Sequence, residues 1–388
     1  MHVLLITEFQ PSTAAVEITG GIEARTHYLA EELRRRGHRV TVIADRSTGE
    51  RWEYASWTSI PRRVLFVLRT LNRALLTDAD IVDATNFVVD PIAWVWGRVR
   101  RRPVIFWYPD VWVGSWRRDF GRIGILGEWC ERRILRLKVD QLIAISDTVR
   151  TKLVANHVAA GKVTMIPCGV SSSLVASVTG RGESKNHDLT VVSRLLAYKD
   201  VDVVLRATAI IARARPDLRL SVIGRGPEAA TLRRLSDQLG LEDNVTFHGF
   251  VPSHADVLDI IARGRVLVTA SRVEGFGIVL VEAMALGVPY VATDIPVFRE
   301  HRGRGGLLFR AGDASDLAAK LALLLNDDEL LREKSLEASE HARRYTWERV
   351  AAETEALYCR VLGHPQVGRA HRRIGRGGGG VEGGGWCR

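Results

Sequence analysis

Cysteine is scarce: 4 in 388 residues, at Cys130, Cys168, Cys359 and Cys387, with no Cys-x-x-Cys pair. That spacing argues against a disulfide framework and against a zinc ribbon. No uncharged apolar run reaches the ~18 residues a membrane-crossing helix needs. The opening Met-His-Val-Leu-Leu-Ile has no basic leader and no small-residue cleavage site, so it reads as a core strand. A cytoplasmic location is expected. The full Gly-x-Gly-x-x-Gly fingerprint is missing, as is the acid that a dinucleotide site places on the ribose. No RNA- or DNA-binding motif is found, so no specific nucleic-acid partner is expected. For metals there is only Asp78-Ala79-Asp80, which precedes a strand, and open sheets bind ligands at the other end.

What is present is an ample globular chain. Hydrophobic residues make up 46% and charged residues 26%, and the net charge is +10. The length points to two or three domains, and the charge to anionic company such as nucleotide phosphate, lipid or nucleic acid. The excess is early, with 25 Lys and Arg against 18 Asp and Glu in residues 1–170. Eight of the ten tryptophans lie between Trp52 and Trp129. Tyr54 to Thr77 holds no acid, and Arg62, Arg63, Arg69 and Arg73 interleave with Val64, Leu65, Phe66, Leu68, Leu71 and Leu75. That is a basic amphipathic helix, read either as a dock for an anionic membrane or as a domain helix with a solvated arginine face.

One stretch organises the rest: Ser271 to Asp294. The β-branched run Arg265 to Ala270 predicts a buried parallel strand, and Ile278 to Leu286 predicts a helix stopped by Gly287 and Pro289. Between them stands Glu274-Gly275-Phe276-Gly277. Glycines let a backbone approach a ligand closely, and the amides that open a helix favour anions. Glu282 follows Glu274 by eight residues, about two helical turns. Two carboxylates beside helix-end donors suit a polyhydroxylated ligand that carries phosphate.

The remaining chain alternates strands and helices, which predicts parallel sheets. His2 to Thr7, Arg39 to Ala44, Val104 to Tyr108, Gln141 to Ser146 and Val163 to Ile166 read as strands of a first half. Gly20-Gly21 precedes a helix from Ile22 to Arg36, and Glu128 to Lys138 reads as another. Cys168 reads as a small turn residue, because no base is expected near it. Residues 171–187 are polar and read as a linker. Strands then restart at Leu189, with Arg194 and Lys199 where that strand hands over to a helix. Arg supplies forked phosphate bonds and Lys a point charge. Turns follow at Gly224-Arg225-Gly226-Pro227 and Gly249-Phe250-Val251-Pro252. Residues 298–306 read as a loop, and Thr346-Trp347-Glu348 opens a last helix to about Leu362. The tail, 363–388, is Gly/Arg-rich and expected to be disordered.

The Glu-x7-Glu pattern, with Gly-Phe-Gly inside it and Ala-x-Gly-x-Pro after it, resembles retaining glycosyltransferases of the GT-B fold, family 4. The resemblance covers roughly residues 1–362. It implies an α/β chain of two Rossmann-like domains whose parallel sheets face each other across a cleft. Residues 1–170 would bind the acceptor, 188–345 would bind the nucleotide sugar, and the helix at 346–362 would cross back to the first domain. It implies a nucleotide-diphosphate sugar as donor substrate, a glycan or lipid-linked acceptor, and no metal or other cofactor. Arg194 and Lys199 would neutralise the leaving diphosphate, Glu274 would hold sugar hydroxyls, and Glu282 would bind the ribose diol. Gly20, Gly21, Gly224, Val251, Gly275, Phe276, Gly277 and Ile278 would line the donor through their backbones. The family's usual His-Asp pair is replaced by Tyr108-Pro109-Asp110, so Asp110 or Tyr108 would take the histidine's place. The other readings are a binding partner that does not turn the sugar over, and a nucleotide-sugar epimerase of the same fold.

Overall fold

The computed structural model describes residues 1–8, 20–44, 60–179 and 185–363. The expected tail, apart from Gly363, lies outside the described residues. Two six-stranded sheets form, and every pairing is parallel. The first contains β1 (His2–Ile6), β2 (Arg39–Ile43), β3 (Ile81–Ala84), β4 (Val104–Tyr108), β5 (Gln141–Ala144) and β6 (Val163–Met165). The second contains β7 (His187–Val192), β8 (Leu220–Ile223), β9 (Val245–Gly249), β10 (Gly264–Thr269), β11 (Tyr290–Thr293) and β12 (Gly306–Phe309). Their spatial orders are β2-β1-β3-β4-β5-β6 and β12-β11-β10-β7-β8-β9. Strands buried on both faces need continuous apolar runs. β4, Val-Ile-Phe-Trp-Tyr, is buried along its whole length.

Among the described residues, seven helices belong to the first half: α1 (Gly21–Arg35), α2 (Ile60–Leu75), α3 (Asp90–Arg100), α4 (Trp116–Phe120), α5 (Ile123–Ile134), α6 (Asp147–Ala155) and α7 (Ser172–Thr179). Eight follow: α8 (Val201–Ala212), α9 (Ala229–Gln238), α10 (His254–Arg263), α11 (Ile278–Ala285), α12 (Pro296–Arg299), α13 (Ala314–Asn326), α14 (Asp328–Ala342) and α15 (Trp347–Leu362). α15 packs on α1. Its Tyr358 hydroxyl donates to Asp83 Oδ2 on β3 at 2.6 Å. Asp83 also takes a fork of hydrogen bonds from Arg25 on α1, at 3.1 and 2.6 Å, and both partners are buried.

Several expectations are corrected. The stretch read as a linker opens with helix α7, whose Val178 is buried, because a small apolar side is enough to seat it. The loop expected over 298–306 holds the end of α12 and the start of β12, which completes the sheet edge beside β11. The helix expected from Glu128 begins at Ile123, after the short α4. On α2, the side chains of Arg62, Arg63, Val64 and Leu65 lie outside the described residues, and Leu68 is exposed. Phe66, Val67, Leu71 and Leu75 pack on the core, while Arg69 and Arg73 face outward. Among the described residues, no helix is long and apolar enough to cross a membrane.

Candidate active site

β7 and β10 are parallel neighbours, although β8 and β9 separate them in sequence. Strand order reverses there, and open α/β sheets form a crevice at such a point. The carboxyl end of β7 leads into Arg194 and the turn Ala197–Lys199, and that of β10 leads into Ser271 to Gly277. Topology therefore brings Lys199 and Glu274 together across 75 residues, and their side chains form an ion pair. Gly277 adopts φ +79° as the cap of α11, which starts at half-buried Ile278. Phe276 is buried edge-on against His301 and Tyr345.

The first half meets this junction directly. A Cβ on Gly275 would stand 1.7 Å from the Pro109 carbonyl oxygen and 3.3 Å from Asp110 Cβ, so only glycine allows the approach. Asp110 Oδ1 accepts from Lys152 Nζ at 2.6 Å and from the Val111 amide at 2.8 Å. Burial pushes the Asp110 carboxyl above its ordinary range, the Lys152 ammonium pulls it back, and the negative charge of Glu274 adds to the rise. Two cations and two carboxylates thus gather where the halves touch: Lys152 and Asp110 from one, Glu274 and Lys199 from the other. Trp112 stands edge-on to Tyr198, with centroids 6.0 Å apart.

Arg194 is exposed, and its Nη2 donates to the Tyr198 hydroxyl at 3.1 Å. Lys199 Nζ lies 5.3 Å from the centre of the same ring, so Tyr198 connects the two predicted cations. Glu282 is placed differently. Its carboxylate is buried, and Oε1 accepts from His254 Nε2 at 2.8 Å. His254 Nδ1 lies 3.0 Å from the Tyr28 hydroxyl of α1. Burial opposes charge on His254, but the Glu282 carboxylate outweighs it and holds the imidazole above its ordinary value. Glu282 thus faces the first half through a relay, and it makes no hydrogen bond to Lys199 or Arg194 among the described residues. A concavity of about 560 Å³ takes in Leu196, Asp200 and Arg272 but none of Arg194, Lys199, Glu274 or Glu282.

Tyr108 is interior, 2% exposed, and so cannot stand in the cleft as a substitute for histidine; Asp110 is the residue at the junction. Gly20 precedes α1 in extended backbone, and nothing lies within 4 Å of a Cβ on Gly20 or Gly21. Gly224 follows β8 and packs on the Ser193 carbonyl, and half-buried Val251 follows β9. Asp78-Ala79-Asp80 leads into β3, and Asp80 Oδ2 accepts from the His2 amide at 2.7 Å. Cys168 is buried, which pushes its thiol up to about 12 and removes it as a nucleophile. Sequence reasoning missed Lys152, Tyr28 and the His254–Glu282 contact, because each depends on residues far apart in the chain.

Two family descriptions match consecutive parts: Glycosyltransferase Family 4 over residues 19–174 and Glycosyl transferases group 1 over residues 180–344. A phosphatidyl-myo-inositol mannosyltransferase from Mycobacterium leprae is 29% identical over 364 residues, covering 88% of this chain and 93% of that one. Among solved structures, a sucrose-phosphate synthase from Thermosynechococcus elongatus superposes with a TM-score of 0.75 at 22% identity, over 93% of this chain and 99% of the other. A protein from Anabaena in complex with UDP-glucose reaches 0.70 at 19% identity, over 92% and 100%. Two facing parallel sheets, a charged junction at the strand reversal and these matches lead to one conclusion: the chain is a glycosyltransferase of family 4 with the GT-B fold.

Proposed function

We propose that the enzyme moves a hexosyl group from a nucleotide-diphosphate sugar to a glycan or lipid-linked acceptor, with retained anomeric configuration. The observation that carries the reading is the Lys199–Glu274 pair at the strand reversal, closed on by Asp110 and Lys152. In this reading the second half, 188–345, binds the donor and the first, 1–170, presents the acceptor. The UDP-glucose complex from Anabaena supports the choice of donor class, and the phosphatidyl-myo-inositol mannosyltransferase of M. leprae supports hexosyl transfer to a lipid-linked acceptor.

The chemistry asks for position and for charge stabilisation of the departing diphosphate. Lys199 and Arg194 supply positive charge, sharing Tyr198 as a prop, and take the role a divalent cation would otherwise fill. Glu274 holds sugar hydroxyls as Lys199 turns toward phosphate. The Gly275, Phe276 and Gly277 amides at the start of α11 face the same groups. Gly20 and Gly21 keep the mouth of α1 open to phosphate, since no packing demands glycine there. Glu282 reaches the ribose diol with its second oxygen while His254 holds the first. Asp110 takes the place of the family's histidine beside the donor sugar.

The test is donor turnover by Lys199→Ala, Glu274→Ala and Arg194→Ala, each after a thermal-shift screen of nucleotide sugars. Loss of one preorganised charge partner should cost about 10²–10³ in kcat. Activity within about threefold of the parent for all three would remove the mechanism. Selective stabilisation by a nucleotide sugar without any turnover would point to a binding partner instead.

A further inference from the structure

We propose that the outward face of α5 is the surface on which the enzyme docks to an anionic lipid bilayer. This deepens the lipid-linked acceptor reading above and rests on it for its purpose, though its own evidence is separate. Four large apolar side chains of this one helix face outward: Ile123 is 78% exposed, Ile125 56%, Leu126 63% and Trp129 55%. Isolated apolar residues on a surface are ordinary, but a contiguous set calls for a partner.

Helical spacing explains why they cluster. Positions 122, 125, 126, 129 and 133 fall on one side of a helix of 3.6 residues per turn, and Ile123 stands at the margin of that side in the first turn. Arg122 and Arg133 are exposed on that side, Arg136 is exposed just past the helix end, and the Arg133 guanidinium lies 5.1 Å from the centre of the Trp129 ring. The acids of the helix do not cancel this charge. Glu128 is paired with Arg132 at 2.8 Å, and Glu131 is turned inward. Apolar residues flanked by arginine, with a tryptophan among them, complement an interface of acyl chains below anionic headgroups. On α2, Phe66, Val67, Leu71 and Leu75 pack on the core, and Leu68 is the one large apolar side chain exposed among those described.

The inner side of α5 ties this surface to the cleft. Glu131 Oε1 accepts from the Trp112 amide at 3.1 Å, and Oε2 accepts from Trp116 Nε1 at 2.6 Å. Trp112 stands against Tyr198 beside Lys199. A bilayer under α5 would therefore present an acceptor headgroup at the wall of the junction where the two halves meet.

The experiment is flotation of the full chain with vesicles of phosphatidylcholine alone and of phosphatidylcholine mixed with phosphatidylglycerol. The parent should float only with the mixed vesicles, and binding should fall with added salt. Leu126→Glu with Trp129→Glu, and separately Arg122→Glu with Arg133→Glu, should each weaken binding by at least about tenfold while the thermal midpoint and donor turnover stay as in the parent. Equal flotation of parent and variants overturns the proposal, as does no flotation of the parent. A dimer in sedimentation that Leu126→Glu dissolves also overturns it, since a second copy is then the occupant. A chain that binds the mixed vesicles but turns over no nucleotide sugar ends the function proposed above and leaves this surface standing. A chain that transfers sugar but ignores vesicles does the reverse.

Discussion

Gly275 of the second half lies against Pro109 of the first, so close that a Cβ on the glycine would stand 1.7 Å from the proline carbonyl oxygen. The contact is backbone against backbone, which leaves no flexible side chain to yield. The most conservative enlargement there is a wedge between the halves.

Gly275→Ala should therefore hold the halves apart at the charged junction. Overpacking of this kind costs about 1–3 kcal/mol. The thermal midpoint should drop, and kcat/KM should fall by at least about tenfold. Differential scanning calorimetry and steady-state kinetics on the purified variant check both.

Lys152→Met addresses the charge on Asp110. Burial already raises that carboxyl, and the Lys152 ammonium opposes the rise. Removing the ammonium leaves burial and the Glu274 charge to act together, so Asp110 should stay protonated to higher pH. If its carboxylate form works beside the sugar, the acid limb of the kcat/KM profile should move to higher pH in the variant. An unmoved limb would remove Asp110 from the reaction.

Glu131 gives a stability prediction with a definite sign. Burial raises its carboxyl from an ordinary 4.5 to about 7, against donors from Trp116 and Trp112. A folded-state value above the unfolded one means that the folded chain binds the extra proton. Its contribution is fully present below about 4.5 and fades as pH rises toward 7. Glu131→Gln should flatten this decline while keeping an amide oxygen for one of the two donors. Urea midpoints across that range, for parent and variant, provide the measurement.

His254 works in a neighbouring window with the same sign. Its value is raised above 6.5 because the Glu282 carboxylate outweighs burial. The stability it adds is present below 6.5 and is lost as pH rises through the folded value. His254→Ala should remove that loss and leave Glu282 buried without its partner, at a cost of about 1–3 kcal/mol. Tyr28→Phe, which keeps the Glu282 contact, should cost less. Unfolding curves at acid and alkaline pH separate the two variants.

The sequence made some of this legible because the signals are local. A β-branched run, a Gly-Phe-Gly turn and an apolar helix stopped by Gly287 require only their own residues to form, and β10, α11 and β11 stand where those signals put them. The pairing of Lys199 with Glu274 required a rule about where parallel strands reverse order, and residue types alone carry no distance. Lys152 and Tyr28 carry no local mark at all; their meaning comes from partners 42 and 226 residues away. The start of α5 was hidden because Gly124 and Gly127 look like helix breakers. They are glycines because α4 crosses there: a Cβ would stand 2.1 Å from the Trp116 carbonyl oxygen or 2.6 Å from its ring. The Glu282 expectation took the helix spacing correctly and could not see the histidine that meets it.

The hydrogen bond from Tyr358 to Asp83 spans 275 positions of the chain. A ribosome that has released β1 to β6 has therefore not yet delivered the last polar partner for the Arg25–Asp83 pair inside that sheet. The early half must wait, incompletely sealed, until the whole later half has been made. Cutting the gene between the sheets should accordingly yield a poorly soluble first fragment, and adding α15 back as a separate peptide should rescue it.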